Sequence, residues 1–174
     1  TIFSVVRYGN VMGSRGSVIP FFLSEAHKGV LPITDKNMTR FMITLEEGVK
    51  LVWHVFDDMV GGEIYVKKIP SMKITDIAAA IDNKATQKIV GIRPGEKIHE
   101  EMISSGDAPY TYEYNNHYKI LPSIYSWAMD LNRINDGTKV AEDFTYTSDN
   151  NSDWMDVDTL KAWIEDNSKK IGKI

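Results

Sequence analysis

The sequence has 174 residues, 43% hydrophobic and 25% charged, a composition that is typical of a globular protein and excludes a disordered or fibrous one. Its net charge of -4 argues against a nucleic-acid-binding surface, which requires clustered basic residues. The absence of cysteine excludes disulfides and thiolate chemistry. No apolar run approaches the roughly 18 residues that span a bilayer, and no secretory signal is visible. We therefore expect a cytoplasmic protein without a membrane or nucleic-acid partner.

The chain opens with a strand pattern that leads into a glycine-rich loop. An apolar run over 2–6 predicts the strand, and the loop that follows has glycines at 9, 13 and 16. Glycine lets backbone approach a ligand, and Pro20 suits a first helical turn, where free amides favour an anion. The Gly-x3-Gly-x2-Gly spacing matches no standard phosphate motif, so a plain turn stays an equal alternative. Because Thr1 already lies next to a strand pattern, we expect upstream neighbours and hence a longer protein.

The rest of the chain alternates between helix and strand patterns, which predicts an α/β fold. The clearest helix covers 45–59, with Thr44 and Glu47 at capping-box spacing. Its predicted inner face consists of Leu45, Val49, Val52, Phe56 and Met59. Other predicted elements are a helix over 21–28, an extended segment over 30–34, a polar stretch over 35–41, a strand over 63–66, a helix over 75–81, a strand over 88–92, a helix over 98–103, a strand over 110–114, a loop-like stretch over 132–153 and a helix capped by Asp156 with Leu160, Trp163 and Ile164 inward.

Three arginines in loop contexts indicate an anion site. Arg15, Arg40 and Arg93 each lie near turn residues or the end of an extended run. The planar fork of arginine binds two phosphate oxygens at once, so together these residues favour a diphosphate. Glu96 follows the Pro94-Gly95 turn and can accept hydrogen bonds from a pair of sugar hydroxyls. For each arginine taken alone, a surface salt bridge is the alternative.

No catalytic or metal-binding set can be assembled from the sequence. The run His99-Glu100-Glu101 lacks the second histidine of H-E-x-x-H, because position 103 is isoleucine. The other histidines are scattered, and the acidic pairs fall on predicted helix surfaces. We therefore expect no metal site and no nucleophile or acid–base constellation within these residues.

Four long segments resemble one family in the same order. The family is that of the UDP-N-acetylglucosamine 4,6-dehydratases of the extended short-chain dehydrogenase/reductase superfamily, and the likeness is to the C-terminal half, most of all that of the inverting enzymes of pseudaminic acid biosynthesis. With the stretch SDNNSDWM (148–155), the likeness covers nearly the whole chain. The four segments are RYGNVMGSRGSVIPFF (7–22), LPITDKNMTRF (31–41), GGEIYVKKIPSMKITDIA (61–78) and GIRPGEKIHEEMI (91–103).

This resemblance implies a Rossmann-like α/β fold to which residues 1–174 contribute the C-terminal, nucleotide-sugar-binding region. Residues 1–12 and about 63–66 would be strands that complete the sheet of the N-terminal half. The implied reaction oxidises the sugar at C4 with NADP, or alternatively NAD, eliminates water across C5 and C6 and returns the hydride to C6. The product would be a UDP-4-keto-6-deoxy sugar with inverted C5, for bacterial surface glycan or flagellin glycosylation.

The resemblance also implies roles for individual residues. The implied substrate contacts include Ser17 and Val18, which would line the uridine site through backbone groups, and Asn10, which would also reach the substrate. Arg40 and Arg93 would contact the diphosphate, and Glu96 the ribose hydroxyls. Those implied for the nicotinamide end of the cofactor are Tyr8, Gly9, Asn10 and Val11.

The sequence also departs from the family pattern. The glycine-rich cofactor loop, the Tyr-x-x-x-Lys pair and the acid–base residues of elimination belong to the half that would precede Thr1. We therefore expect no catalytic residue here, no dehydratase activity from this chain alone, and an active, homo-oligomeric full-length enzyme that binds NADP mainly through its N-terminal half. The alternatives are a retaining dehydratase, an epimerase of nucleotide sugars, or a non-catalytic UDP-binding module.

Overall fold

The computed structural model describes residues 1–123 and 131–173. In chain order, the strands are β1 (Val5–Arg7), β2 (Asn10–Val11), β3 (Val30–Ile33), β4 (Thr39–Ile43), β5 (Ile64–Lys67), β6 (Ser71–Lys73), β7 (Thr86–Ile89), β8 (Glu101–Ile103), β9 (Thr111–Glu113), β10 (His117–Ile120), β11 (Thr138–Lys139) and β12 (Tyr146–Thr147). The α-helices are α1 (Val18–Glu25), α2 (Leu45–Asp58), α3 (Ile74–Ile81), α4 (Leu131–Ile134) and α5 (Val157–Asn167), and 3-10 turns cover Ala26–Lys28 and Ala108–Tyr110. Across the described ranges, no helix combines the length and the apolar character needed to cross a membrane.

The elements form two compact units, each assembled from three stretches of chain. Unit 1 comprises Thr1–Tyr8, Leu45–Ile69 and Glu101–Thr147, and unit 2 comprises Gly9–Thr44, Pro70–Glu100 and Ser148–Ile174. The predicted opening strand is therefore divided, because β1 belongs to unit 1 and β2 to unit 2.

Unit 1 is built on a five-stranded sheet in the order β1-β5-β10-β9-β11. β1 runs parallel to β5, and β10 runs antiparallel to both β5 and β9. Helix α2 buries Leu51 and Val55 against Tyr65 of β5. The predicted inner face of α2 is wrong for Leu45, Val49 and Phe56, which are exposed, whereas Met59 packs partly buried against this cluster. The buried face runs instead through Gly48, Leu51 and Val55.

Unit 2 contains an apolar core to which helices α1, α3 and α5 and strands β3, β4 and β6 all contribute. Strands β2, β4 and β6 form one sheet, and β3 and β7 form a parallel pair. Asp156 caps α5 through a hydrogen bond from the Thr159 backbone amide, as predicted. The inward side chains of these helices include Ile19, Phe22, Ile77, Ala78 and Leu160, with Trp163 and Ile164 partly buried against them.

The sequence missed one strand and led to two wrong predictions of local structure. The polar stretch over 35–41, for which no element was predicted, contains most of β4, whose five residues are all buried. The predicted helix over 98–103 is instead an irregular segment followed by β8, which pairs with β12. The loop-like stretch over 132–153 contains β11, β12 and most of α4. For strands β4, β8, β11 and β12, partners distant in sequence decide the local structure.

Candidate functional site

Unit 2 contains a cavity of about 610 Å³. This volume lies within the range of about 300–1,000 Å³ that small-molecule sites occupy. The cavity is lined by residues at the end of the glycine-rich loop, along α1, on β4 and in the loop after β7. All six residues that the sequence analysis assigned to the substrate line it, namely Asn10, Ser17, Val18, Arg40, Arg93 and Glu96.

A tight turn presents Arg93 at the cavity. The Glu96 backbone amide donates to the Arg93 carbonyl at 3.0 Å, and a Glu96 carboxylate oxygen accepts the Arg93 amide at 3.2 Å. Pro94 and Gly95 occupy the centre, and Gly95 has φ +82°, which a type II turn requires at this position and an L side chain resists. Within the described ranges, the Arg93 guanidinium has no hydrogen-bond or ion-pair partner, so its donors are available to a ligand.

Arg40 also lines the cavity but, unlike Arg93, it is buried and its guanidinium has several partners. It is 8% exposed, and its guanidinium donates to the carbonyls of Thr39, Lys97 and Ile98 at 2.7–3.0 Å. Carboxylate oxygens of Glu96 and Glu100 lie 3.9 Å and 3.5 Å from it. Arg40 therefore fixes the segment that follows the Arg93 turn while adding positive charge to the wall.

The N-terminus of α1 forms another part of the cavity. Ser17 is the N-cap residue, but its hydroxyl donates backwards to the Ser14 carbonyl at 2.7 Å and does not cap the helix. Pro20 occupies the first turn, as predicted, and lacks an amide hydrogen. The Val18 and Ile19 amides have no partner inside the helix, because the first amides of any helix lack one. Positive potential is therefore expected at this end of the cavity.

The residues assigned to the cofactor fall on both sides of the division between the units. Tyr8 is the last residue of unit 1 and is 41% exposed. In unit 2, Asn10 is exposed and lines the cavity, and Val11 pairs with Ile43 of β4. A Cβ on Gly9 would lie 2.4 Å from the Phe41 Cβ, so close approach of β4 already requires glycine there.

Arg15 does not line the cavity, and the three arginines of the sequence analysis are therefore not brought together. Its guanidinium lies 3.4 Å from the Lys173 carbonyl, near the C-terminal turn. Among the residues of the two described ranges, no group of three or more histidine, aspartate or glutamate side chains is placed to hold a metal ion.

Thr34 and Val90 also line the cavity, and neither was predicted from the sequence. They directly follow β3 and β7, whose last residues Ile33 and Ile89 are register partners in a parallel pair. Carboxyl ends of parallel strands meet at one edge, which is a common place for a ligand. Both strands were predicted approximately, but their pairing was not, so the sequence offered no signal for this edge.

Comparison with known proteins places the chain in a family. A family model described as "Polysaccharide biosynthesis protein" matches residues 1–122. The UDP-N-acetylglucosamine 4,6-dehydratase (inverting) of Campylobacter jejuni subsp. jejuni serotype O:2 is 54% identical over 161 residues, which are 88% of this chain and 48% of that protein. The UDP-glucose 4-epimerase of Rickettsia conorii is 40% identical over 125 residues, 69% of this chain and 37% of that enzyme. The chain thus spans about half, or less, of the length of these relatives.

The fold has a solved counterpart in the X-ray structure of Pen from Bacillus thuringiensis. The two chains superpose with a TM-score of 0.81 at 27% identity, over 97% of this chain and 51% of Pen. The predicted α/β class of the extended short-chain dehydrogenase/reductase type is confirmed. Because the family model covers 122 of its 174 residues, this chain belongs to the polysaccharide biosynthesis protein family.

Proposed function

We propose that this chain is the substrate-binding region of a C5-inverting UDP-N-acetylglucosamine 4,6-dehydratase. The observation that carries the proposal is the cavity of unit 2, in which an unpartnered Arg93, the buried Arg40 and the N-terminus of α1 face the same space. A nucleotide diphosphate bears negative charge that matches all three groups. The similarity to the Campylobacter dehydratase, at 54% identity, supports this substrate class.

Each part of a UDP-sugar has a matching group in the cavity. The fork of Arg93 suits two oxygens of the diphosphate, and Arg40 adds a fixed charge behind them. The Glu96 carboxylate beside the turn can accept hydrogen bonds from the ribose hydroxyls. Backbone groups of Ser17 and Val18 are assigned to the uridine, and Asn10 to the sugar. Apolar side chains such as Phe21 and Val90 supply surface on which a flat base can pack.

The proposed cofactor is NADP, with NAD as the alternative, and most of its site would lie outside these 174 residues. The described residues fit its nicotinamide end, because the Asn10 amide lines the cavity without a partner inside the described ranges and an amide suits a carboxamide. Tyr8, Gly9 and Val11 are proposed neighbours of the same end. When bound, the nicotinamide supplies the oxidation of the sugar and its later reduction. The full-length enzyme is proposed to be cytoplasmic and homo-oligomeric.

Titration of UDP into the protein expressed from its complete gene tests this proposal. Loss of a charge-assisted contact in Arg93→Ala is expected to weaken UDP at least about tenfold. Arg15→Ala is the matched control, because it removes the same charge from an arginine outside the cavity, and it should bind within about twofold of wild type. Wild-type protein that does not bind UDP, or an Arg93→Ala variant that binds equally well, would contradict the proposed function.

Product analysis distinguishes the dehydratase from an epimerase, which the 40% identity to the Rickettsia enzyme keeps as the second candidate. With UDP-N-acetylglucosamine, a dehydratase forms a 4-keto-6-deoxy product, whereas an epimerase forms the C4 epimer without loss of water. The dehydratase similarity is higher and extends over more of the chain, so we expect the keto product. The 174-residue chain alone is expected to form neither, because the Tyr-x-x-x-Lys pair does not occur in its sequence.

A further inference from the structure

A chain of hydrogen bonds lies beside the segment that follows the Arg93 turn in unit 2. Thr39 Oγ1 is 2.8 Å from His99 Nδ1 and 2.6 Å from Ser148 Oγ. Ser148 Oγ also accepts the Glu100 backbone amide at 2.9 Å, and the Ser148 amide donates to the Glu100 carbonyl at 2.8 Å. Thr39 and Ser148 are 3% and 0% exposed, so water does not replace these contacts.

The Glu100 backbone amide indicates which group donates and which accepts along this series of hydrogen bonds. The Glu100 amide can only donate, so Ser148 Oγ accepts there and must send its own hydrogen elsewhere. Thr39 Oγ1 is the other polar neighbour of Ser148 Oγ in the described ranges, so Ser148 donates to Thr39. The Thr39 hydrogen is then directed at His99 Nδ1, which accepts it when the ring is the neutral Nε2–H tautomer. His99 Nε2 lies 3.8 Å from an Asp149 carboxylate oxygen.

We propose that Thr39, His99 and Ser148 are positioning residues for the diphosphate site, acting through the ligand loop (residues 93–100). This inference rests on the function proposed above. Residues 91–95 are exposed, so the loop has little packing of its own around Arg93. It is fixed instead at its other end, where the Thr39 amide donates to the Ile98 carbonyl at 3.0 Å and Ser148 holds Glu100.

The stretch SDNNSDWM (148–155) supplies the other side of this anchor. Asn151 Nδ2 donates to the Ser71 hydroxyl at 3.0 Å. The Ser71 amide donates to the Asp153 carbonyl, and the Met155 amide donates to the Ser71 carbonyl, both at 2.9 Å. Ser148 is thus joined to β6, and through Thr39 to β4. Holding the loop in this way before a ligand arrives lowers the entropy lost on binding.

Two pairs of variants separate the hydrogen bonds from packing. Thr39→Val removes the hydroxyl at nearly the same shape, whereas Thr39→Ser keeps it. His99→Leu removes the acceptor, whereas His99→Asn places an amide oxygen close to the position of Nδ1. His99 is half-buried, so replacing it should disturb packing less than replacing the buried Thr39. The second pair therefore provides the test if Thr39→Val fails to fold. The readouts, in the protein from the complete gene, are amide hydrogen exchange over residues 96–100 and UDP affinity.

Thr39→Val and His99→Leu are expected to exchange at least about tenfold faster in the ligand loop and to bind UDP about tenfold more weakly. Thr39→Ser and His99→Asn should stay within about threefold of wild type. Thr111→Val is the matched control, since it removes another buried threonine hydroxyl, which donates to the Asp107 carbonyl at 2.8 Å in unit 1. It should change neither readout.

Unchanged loop exchange in Thr39→Val and His99→Leu would overturn the inference. So would faster exchange with unchanged UDP affinity, or a Thr39→Ser variant that behaves like Thr39→Val. Failure of the proposed function is a separate result: wild type would not bind UDP, or Arg93→Ala would bind normally. In that case the exchange rates alone still decide whether these side chains hold the loop.

Discussion

Unit 1 buries its charged side chains in pairs, whereas unit 2 presents an unpartnered arginine at a cavity. In unit 1, Lys119 is 2% exposed and contacts Asp58 and the Arg133 carbonyl. The Arg133 guanidinium, also buried, donates to Glu63 and to a backbone carbonyl. Arg93 in unit 2 is exposed and makes no such contact within the described ranges. A charge with a partner stabilises the fold, and a charge without one is available to a ligand.

The pKa values of the two acids in these pairs are lowered, although burial acts in the opposite direction. Burial alone would raise the pKa of Asp58, but hydrogen bonds from Lys119 and Tyr65 outweigh it, and the pKa is lowered. Burial would likewise raise the pKa of Glu63, yet hydrogen bonds from Ser4 and backbone amides, with the Arg133 charge, lower it. Both carboxylates therefore stay ionised in the folded protein.

Removing Arg133 should have the largest effect and gives the sharpest test of this comparison. Arg133→Ala leaves the Glu63 carboxylate, which is 1% exposed, without its charged partner. We expect the free energy of unfolding to fall by about 3–5 kcal/mol. Chemical denaturation at pH 7 measures the loss. UDP affinity of the molecules that remain folded should not change, because Arg133 belongs to unit 1.

Replacing both partners provides the control. Glu63→Gln combined with Arg133→Met removes both charges and should recover part of the lost stability. A double variant that is as unstable as Arg133→Ala, or a single variant that folds normally and loses UDP affinity, would contradict the contrast between the two units.

Acidification should produce the next largest effect, through His117. Its ring stacks on Tyr114 at 4.6 Å, and its Nε2 has no hydrogen-bond partner in residues 1–123 and 131–173. Burial, followed by the charges of His54, Lys119 and Lys67, lowers its pKa to about 4, and Asp58 only partly opposes this shift. Between pH 6.5 and 4, the unfolded state therefore binds more protons, and stability falls as the pH falls. Roughly 3 kcal/mol should be lost across this window.

His117→Phe keeps the stacked ring but cannot titrate, so its unfolding free energy should fall much less than that of wild type between pH 6.5 and 4. The fall that remains near pH 4 belongs to acids such as Asp58 and Glu63, whose pKa values are lowered by folding. His27→Gln, which replaces an exposed histidine, should keep the wild-type slope. Denaturation curves at several pH values measure both. A wild-type protein without this slope would show that His117 is not buried in its neutral form.

Gly95→Ala should have the smallest effect on folding and a specific effect on binding. A side chain at φ +82° is strained by about 1 kcal/mol, and the turn relaxes to another shape. Because the turn is exposed, we expect little change in the unfolding free energy and an approximately fivefold loss of UDP affinity. Gly29→Ala is the control, since its φ is +66° at an exposed position outside the cavity. Equal UDP affinities for the two variants would show that the shape of the Arg93 turn does not affect UDP binding.

Elements that depend on residues close in sequence were predicted well. The apolar periodicity predicted helix α2, and Asp156 correctly predicted where α5 begins. The inner face of α2 was predicted wrongly at Leu45, Val49 and Phe56, because Gly48, a residue without a side chain, lies on the buried side while large apolar residues such as Phe56 are exposed. Strand β4 was missed because its polar Thr39 and Arg40 are buried through contacts to residues about sixty positions away.

The sequence predicted which residues belong to the candidate site, but not whether their side chains have hydrogen-bond partners. Residue type and turn context pointed to Arg40, Arg93 and Glu96, and the cavity contains all three. The sequence could not show that Arg40 is held by three carbonyls while Arg93 is unpartnered, because that difference arises only after β4 pairs and the loop folds over it. Arg15 has the same local context as the other arginines and still lies outside the cavity.

The division into units also constrains how the protein acquires its structure during synthesis. The chain passes between the units after Tyr8, Thr44, Ile69, Glu100 and Thr147. Strand β5 meets β1 early but needs β10, about fifty residues later, on its other side. Unit 2 likewise lacks α5 until residues 157–167 have been synthesised. Contacts that close such long loops form slowly, so both units should fold late and cooperatively, and nascent chains truncated before residue 148 should depend on chaperones.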